Sequence, residues 1–124
     1  MELSPRRFAD AVVIFPAGRI DQSSADAFQD ALAPYVGQCA AGRDCLILDL
    51  SNLSYISSAG LRVLMLAAKQ VKAQDGTLLL TGLSPLVREI FEISKFTLVF
   101  DITPSLREAL AKASTSALTA FEKA

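Results

Sequence analysis

No histidine occurs anywhere in the 124 residues. That absence alone removes serine–histidine and cysteine–histidine nucleophile pairs, histidine general bases and most zinc sites. Cysteine is almost as scarce. Cys39 and Cys45 are the only two, they form no CxxC, and they read as ordinary loop and core residues. Basic residues never cluster beyond Arg6–Arg7, and twelve of them stand against thirteen acidic residues for a net charge of -1. The electrostatic footprint of a nucleic-acid binder is therefore missing. Charges interrupt every apolar run before it reaches the ~20 residues that span a bilayer, and the start MELSPRRFAD lacks the layout of a secretion signal. Membrane insertion is not expected, and a cytoplasmic protein is the default.

What remains is a chain rich in core-forming residues. Hydrophobic side chains make up 52% of the sequence and charged ones 20%, which favours a folded globular protein over a disordered one. At this length a single domain can bury roughly two-thirds of its unfolded surface. Four strand-then-helix units follow one another. Ala11–Phe15 is a β-branched run closed by Pro16 and Gly18. Ser23 and Asp26 then stand at capping-box spacing before Ala27, Phe28, Ala31 and Leu32. Cys45–Leu50 is almost continuously apolar, as a strand covered on both faces would be. Leu61, Leu64, Met65, Ala68 and Val71 recur at helical spacing up to about Gln74, before a turn at Asp75–Gly76. Thr77–Leu80 leads to Ser84–Pro85 and a third helix, in which proline at the first position costs no hydrogen bond. Thr97–Phe100 reads as the fourth strand, followed by Thr103–Pro104–Ser105 and a helix with a Ser105–Glu108 capping box.

The pattern implies an α/β fold with a mostly parallel or mixed sheet of four to five strands and about four helices. The stretch before Ala11 can add an antiparallel edge strand. Residues 1–113 are expected to form the domain, and residues 114–124 a frayed helix extension or tail. In a parallel sheet the strand-to-helix junctions share one edge, where sites of open α/β folds form. Asp21–Ser24, Ser57–Gly60, Ser84 and Thr103–Ser105 are expected there together.

The segment YISSAGLRVL at Tyr55–Leu64 is the centre of that edge and places two hydroxyls at a helix start. A hydrolase elbow would need glycine two residues before Ser58, where Ile56 stands, and a serine–lysine pair would need a lysine where Leu61 stands. Gly37–Asp44 has the glycine spacing of a phosphate loop but ends in Arg43–Asp44 and precedes its strand. Asp49 lacks a partner carboxylate and reads as a loop-binding residue. Arg62 and Lys69 read as the solvated face of their helix or the rim of an interface. One of the two serines is accounted for as the helix cap. The other stands where a phosphate is tolerated, beside Gly60, whose missing side chain would let a partner approach.

The stretch LILDLSNLSYISSAGLRVLMLAAKQVKAQDGTLLLTGLSPLVREIFEISKFTLVFDI, with GRIDQSSADAFQDAL before it, resembles the STAS domain. Specifically, it is similar to the stand-alone anti-sigma factor antagonists of bacterial partner switching. The resemblance covers about Ala11 to Ala111 and is carried by the combination DLS…YISSAGL…GLSP…FEIS. It implies a STAS-like α/β domain whose serine at the start of the central helix is phosphorylated by a GHKL-type serine kinase that doubles as the anti-sigma factor. A PP2C-type phosphatase removes the phosphate. The family motif D-S-S/A-G-L falls on Ser57–Leu61, which places the acceptor at Ser58, with Ser57 the alternative where several members carry aspartate. The surface implied to meet the partner comprises Asp21, Gln22, Ser23, Ser24, Ser57, Ser58, Gly60, Leu61, Arg62 and Ser84. Neither a cofactor, a metal nor a catalytic residue is expected of such a protein. The alternative within the family is a STAS subunit with a constitutive structural role, for example in a lipid-transport ABC complex, where both serines serve only as cap and contact.

Overall fold

The structure, a computed structural model, describes residues 1–124. Strand β1 (Arg6–Phe8) turns back on β2 (Ala11–Ile14) as the antiparallel edge anticipated from the sequence. β4 (Cys45–Asp49), β6 (Leu78–Thr81) and β7 (Asp101–Thr103) continue the sheet in parallel, in the order β1-β2-β4-β6-β7. Both faces of the sheet are covered. Val12, Ile14, Leu46, Leu48 and Leu80 point to one side, against α1 (Ala25–Gln38), α2 (Ser58–Ala73) and α3 (Pro85–Ile93). Ala11, Val13, Ile47 and Leu79 point to the other, against α4 (Leu106–Ala113) and α5 (Thr115–Lys123). Two-sided burial is why β2, β4 and β6 read as continuous apolar runs without alternation. No helix is long and apolar enough to cross a membrane.

Three parts of the chain differ from the sequence-based expectation. The first is a separate pair of short parallel strands, β3 (Gly18–Ile20) and β5 (Leu53–Ile56), which form their own small sheet beyond the main one. The second is the fourth strand, expected at Thr97–Phe100. Phe96–Leu98 instead forms a 3-10 turn, and pairing with β6 begins only at Asp101. The cause is aromatic packing. Phe96 and Phe100 stand 5.7 Å apart and both pack on Phe91, at 5.9 and 6.1 Å. Residues four apart on an extended strand would be separated by roughly 13 Å. The third is the C-terminal segment. It is a helix docked on the sheet, with Ala117 fully buried and Phe121 edge-to-face on Phe8 at 5.5 Å. The helices therefore number five, one more than anticipated.

Single polar contacts hold the turns. Asp49 accepts from the Ser51 amide at 3.0 Å, binding the loop that follows its strand. Arg7 and Asp44 join β1 to the loop before β4 through two bonds of 2.9 Å, which hold the Asp44 carboxyl below its usual range. Cys39 is buried and donates to the Thr77 carbonyl at 3.0 Å. Burial raises the pKa of both free thiols, Cys39 and Cys45, and so keeps them protonated.

Candidate functional site

The small sheet decides which loops meet. Because β3 and β5 are parallel, with Ile20 level with Ile56, the chain leaves both strands at the same end. The loop entering α1 and the first turn of α2 consequently lie side by side. The Ser57 amide donates to the Ile20 carbonyl at 2.8 Å, fastening the head of α2 to the end of β3. Gln22, Ser57, Ser58, Ala59 and Arg62 line a shared surface depression of about 450 Å³.

Within that depression the two serines have different jobs. Ser57 has extended backbone at the N-cap, and its hydroxyl accepts from the Gly60 amide at 3.3 Å. Ser58 is the first residue of the helix and is exposed, and its hydroxyl makes no hydrogen bond within the chain. Arg62, one turn further on, shares its face and is also exposed. Replacing Ser57 by alanine removes the cap and is expected to lower stability by about 1 kcal/mol. For a domain of this size that corresponds to a melting temperature lower by roughly 3–6 °C, checked by calorimetry.

Asp21 organises the other side. Its Oδ1 accepts from the Ser23 hydroxyl at 2.6 Å, the Ser23 amide at 2.9 Å and the Ser24 amide at 3.2 Å. Ser24, not Ser23, is the N-cap of α1, and its hydroxyl accepts from the Asp21 amide at 3.0 Å instead of capping the helix. The Ser23–Asp26 capping box inferred from spacing does not form, because Asp21 Oδ1 already engages the Ser23 hydroxyl and the Ser23 amide, the two groups the reciprocal pair of bonds would use. The Ser23 hydroxyl, helped by the two amides, holds the Asp21 carboxyl below the ordinary carboxylate range. A depressed folded pKa contributes stability above the unfolded value of about 3.9, and the contribution is lost as pH falls through the folded midpoint. Carboxyl NMR is expected to show Asp21 titrating below that value, with Ser23→Ala moving the midpoint upward.

Not every residue assigned to this surface lies on it. Gly60 and Leu61 turn inward and are buried. A Cβ on Gly60 would lie 2.7 Å from Ile56 Cγ1 and 2.8 Å from Ile20 Cγ2. The glycine therefore lets the helix sit down on the small sheet, and does not open a path for a partner. Ser84 caps α3 by accepting from the Val87 amide at 3.4 Å, and donates to the Leu53 carbonyl at 3.3 Å. That ties it to the start of β5, whose length of roughly 10 Å separates it from Ser57. Thr103–Ser105 belongs to the far edge strand β7 and the head of α4, away from the depression. Two residues beside the site were not anticipated. The Arg19 guanidinium lies 4.3 Å over the Tyr55 ring, on neighbouring positions of β3 and β5. Leu53–Ile56 is buried only at its two ends, so the four-residue strand carries no alternation that could have announced it.

Comparison with known proteins gives a consistent result. The STAS domain model matches residues 3–109. A Bordetella bronchiseptica protein named as anti-sigma factor antagonist BtrV is 40% identical over 118 residues, covering 95% of this chain and 98% of the relative. The crystal structure of an anti-sigma factor antagonist of Thermotoga maritima superposes with a TM-score of 0.80 at 18% identity, covering 90% of this chain and 93% of the other. The Bacillus cell fate determinant SpoIIAA in its phosphorylated form superposes with a TM-score of 0.65 at 19% identity, over 90% and 98% of the two chains. At such identities the two structures establish the fold.

Proposed function

The chain belongs to the STAS domain family, and from that premise we propose that it is an anti-sigma factor antagonist switched by phosphorylation of Ser58. The observation that carries this is the division of labour at the head of α2. Ser57 is consumed as the cap, whereas the Ser58 hydroxyl is exposed and unbonded in a depression with Arg62. The 40% identity to BtrV over nearly the full length supports the antagonist role. The structural neighbour SpoIIAA, described in a phosphorylated form, supports the chemistry.

The partner is a GHKL-type serine kinase that doubles as the anti-sigma factor, and the setting is the cytoplasm, where ATP is available. Unphosphorylated, the surface formed by Asp21, Gln22, Ser23, Ser24, Ser57, Ser58 and Arg62 docks on the kinase and releases what the kinase holds. Phosphorylation joins Ser58 Oγ to the γ-phosphorus of ATP, ADP leaves, and the hydroxyl proton passes to the kinase. The modification adds about -1.5 to -2 charges to a surface that must shed water to dock. Each 1.4 kcal/mol of that penalty weakens binding about tenfold. A PP2C-type phosphatase hydrolyses the ester and restores the docking form. This chain supplies a surface and an acceptor, and the enzymes do the chemistry.

Intact-mass measurement after incubation with the cognate kinase and Mg-ATP tests the assignment. Wild type and Ser57→Ala are expected to gain one phosphate and Ser58→Ala none. An undiminished gain in Ser58→Ala would sink it. Co-purification with an ABC transporter subunit, and with neither kinase nor phosphatase, would replace it by a constitutive structural role.

A further inference from the structure

The sharpest conflict between local sequence preference and local structure lies outside the Ser58 surface, in Lys95–Phe100. Thr97, Leu98, Val99 and Phe100 are of strand-favouring or apolar types. Nevertheless this segment begins with Lys95 at φ 64, in the left-handed region that non-glycine residues avoid, and continues as a 3-10 turn. The turn draws Phe96 and Phe100 onto Phe91 and leaves Leu98 83% and Val99 48% exposed. Such conflicts concentrate at functional surfaces.

Leu98 and Val99 form one wall of a groove of about 500 Å³. The opposite wall is α2 from its midpoint onward, with Met65 and Ala68 half-buried and Lys69 and Lys72 exposed. Neither lysine has a carboxylate within 4 Å, and the one carboxylate lining the groove, Asp101, is held by Lys112 at 2.6 Å. An apolar cleft with two uncompensated cations at its rim selects for an occupant of the opposite charge.

We propose that this groove is a second docking site, taking an acidic segment of a partner protein that seats one large apolar side chain between Leu98 and Met65, with carboxylates facing Lys69 and Lys72. A second copy of the chain fits less well, because a two-fold contact on this face would bring the two lysine rims together. An anionic membrane fits less well too, since lipid-binding patches carry about four to eight basic residues. The groove is concave and of ligand-pocket size, which suits an inserted side chain.

Fluorescence polarisation on the full chain tests the proposal with two synthetic peptide sets, one presenting Leu, Phe or Trp between aspartates and glutamates, the other the same residues between lysines. The acidic set is expected to bind saturably and about tenfold or more tighter than the basic set, weakening with added salt. Leu98→Ser, at an exposed position that the fold does not need, and Lys69→Glu with Lys72→Glu are each expected to weaken it about tenfold or more. Ser58→Glu is expected to leave it unchanged, which separates this site from the phosphorylation surface. The proposal fails if neither set binds saturably, if both bind equally, or if Leu98→Ser has no effect. It also fails if Leu98→Ser abolishes instead a concentration-dependent dimer, seen by sedimentation, or uptake on phosphatidylserine vesicles. Those outcomes would identify a second copy or a lipid surface as the occupant.

Discussion

Glutamate in place of Ser58 is expected to weaken docking on the proposed kinase partner by about a hundredfold or more, equivalent to roughly 2.7 kcal/mol. The magnitude follows from desolvation. A carboxylate that must leave water without a partner costs several kcal/mol, and in the proposed docking form Ser58 presents a neutral hydroxyl. The effect on the isolated domain should have the opposite sign. An acidic residue in the first turn of a helix is favourable by about 0.3–1 kcal/mol, so Ser58→Glu should melt slightly higher than wild type. Calorimetry and titration of the kinase, run on the same preparation, therefore separate a charge effect from misfolding. Ser58→Ala should bind as wild type does, since the hydroxyl has no bond within the chain to lose. Equal affinity of Ser58→Glu and wild type would remove Ser58 from the docking surface.

The second large effect is expected at Gly60. Its Cα is pressed against the side chains of Ile56 and Ile20, and an added methyl would come within 2.7 Å of the first and 2.8 Å of the second. Both isoleucines are fully or almost fully buried, so neither can swing aside. Valine at this position should cost about 1–3 kcal/mol by overpacking, less the few tenths recovered when glycine is replaced in a helical turn. The melting temperature should fall by several degrees. Docking should fall as well, because the displaced turn carries Ser57 and Ser58. A variant as stable as wild type would mean that the head of α2 can lift from the small sheet at little cost.

These two neighbours show how far the sequence could be read. Spacing alone identified a helix beginning near Ser57 and required a cap, and the absence of histidine excluded a nucleophile. It could not tell which serine was the cap, because the choice is made by a tertiary bond from the Ser57 amide to the Ile20 carbonyl. The same holds for Gly60. Its role depends on two isoleucines from strands of three and four residues, too short to announce themselves as elements. The centre of the main sheet was legible because β2, β4 and β6 are buried on both faces and read as apolar runs. The displaced fourth strand was not, since the packing of Phe91, Phe96 and Phe100 overrides the strand preference of Thr97–Phe100. Ser84 and Asp21 were expected on the same sheet edge. Asp21 follows the end of β3, level with Ser57, whereas Ser84 is bonded to Leu53 at the opposite end of β5.

An antagonist that works by occupying its partner has to be present in amounts comparable to that partner, so its solubility matters as much as its affinity. The outermost strands of the main sheet, β1 and β7, are only three residues long. β1 carries the exposed Arg6 and Arg7, the latter tethered to Asp44. Short, charged margins offer little template for another chain to pair with and extend into a fibril. Edge-to-edge pairing of the main sheet is thereby disfavoured, and the head region at Ser57–Ser58 lies away from these margins.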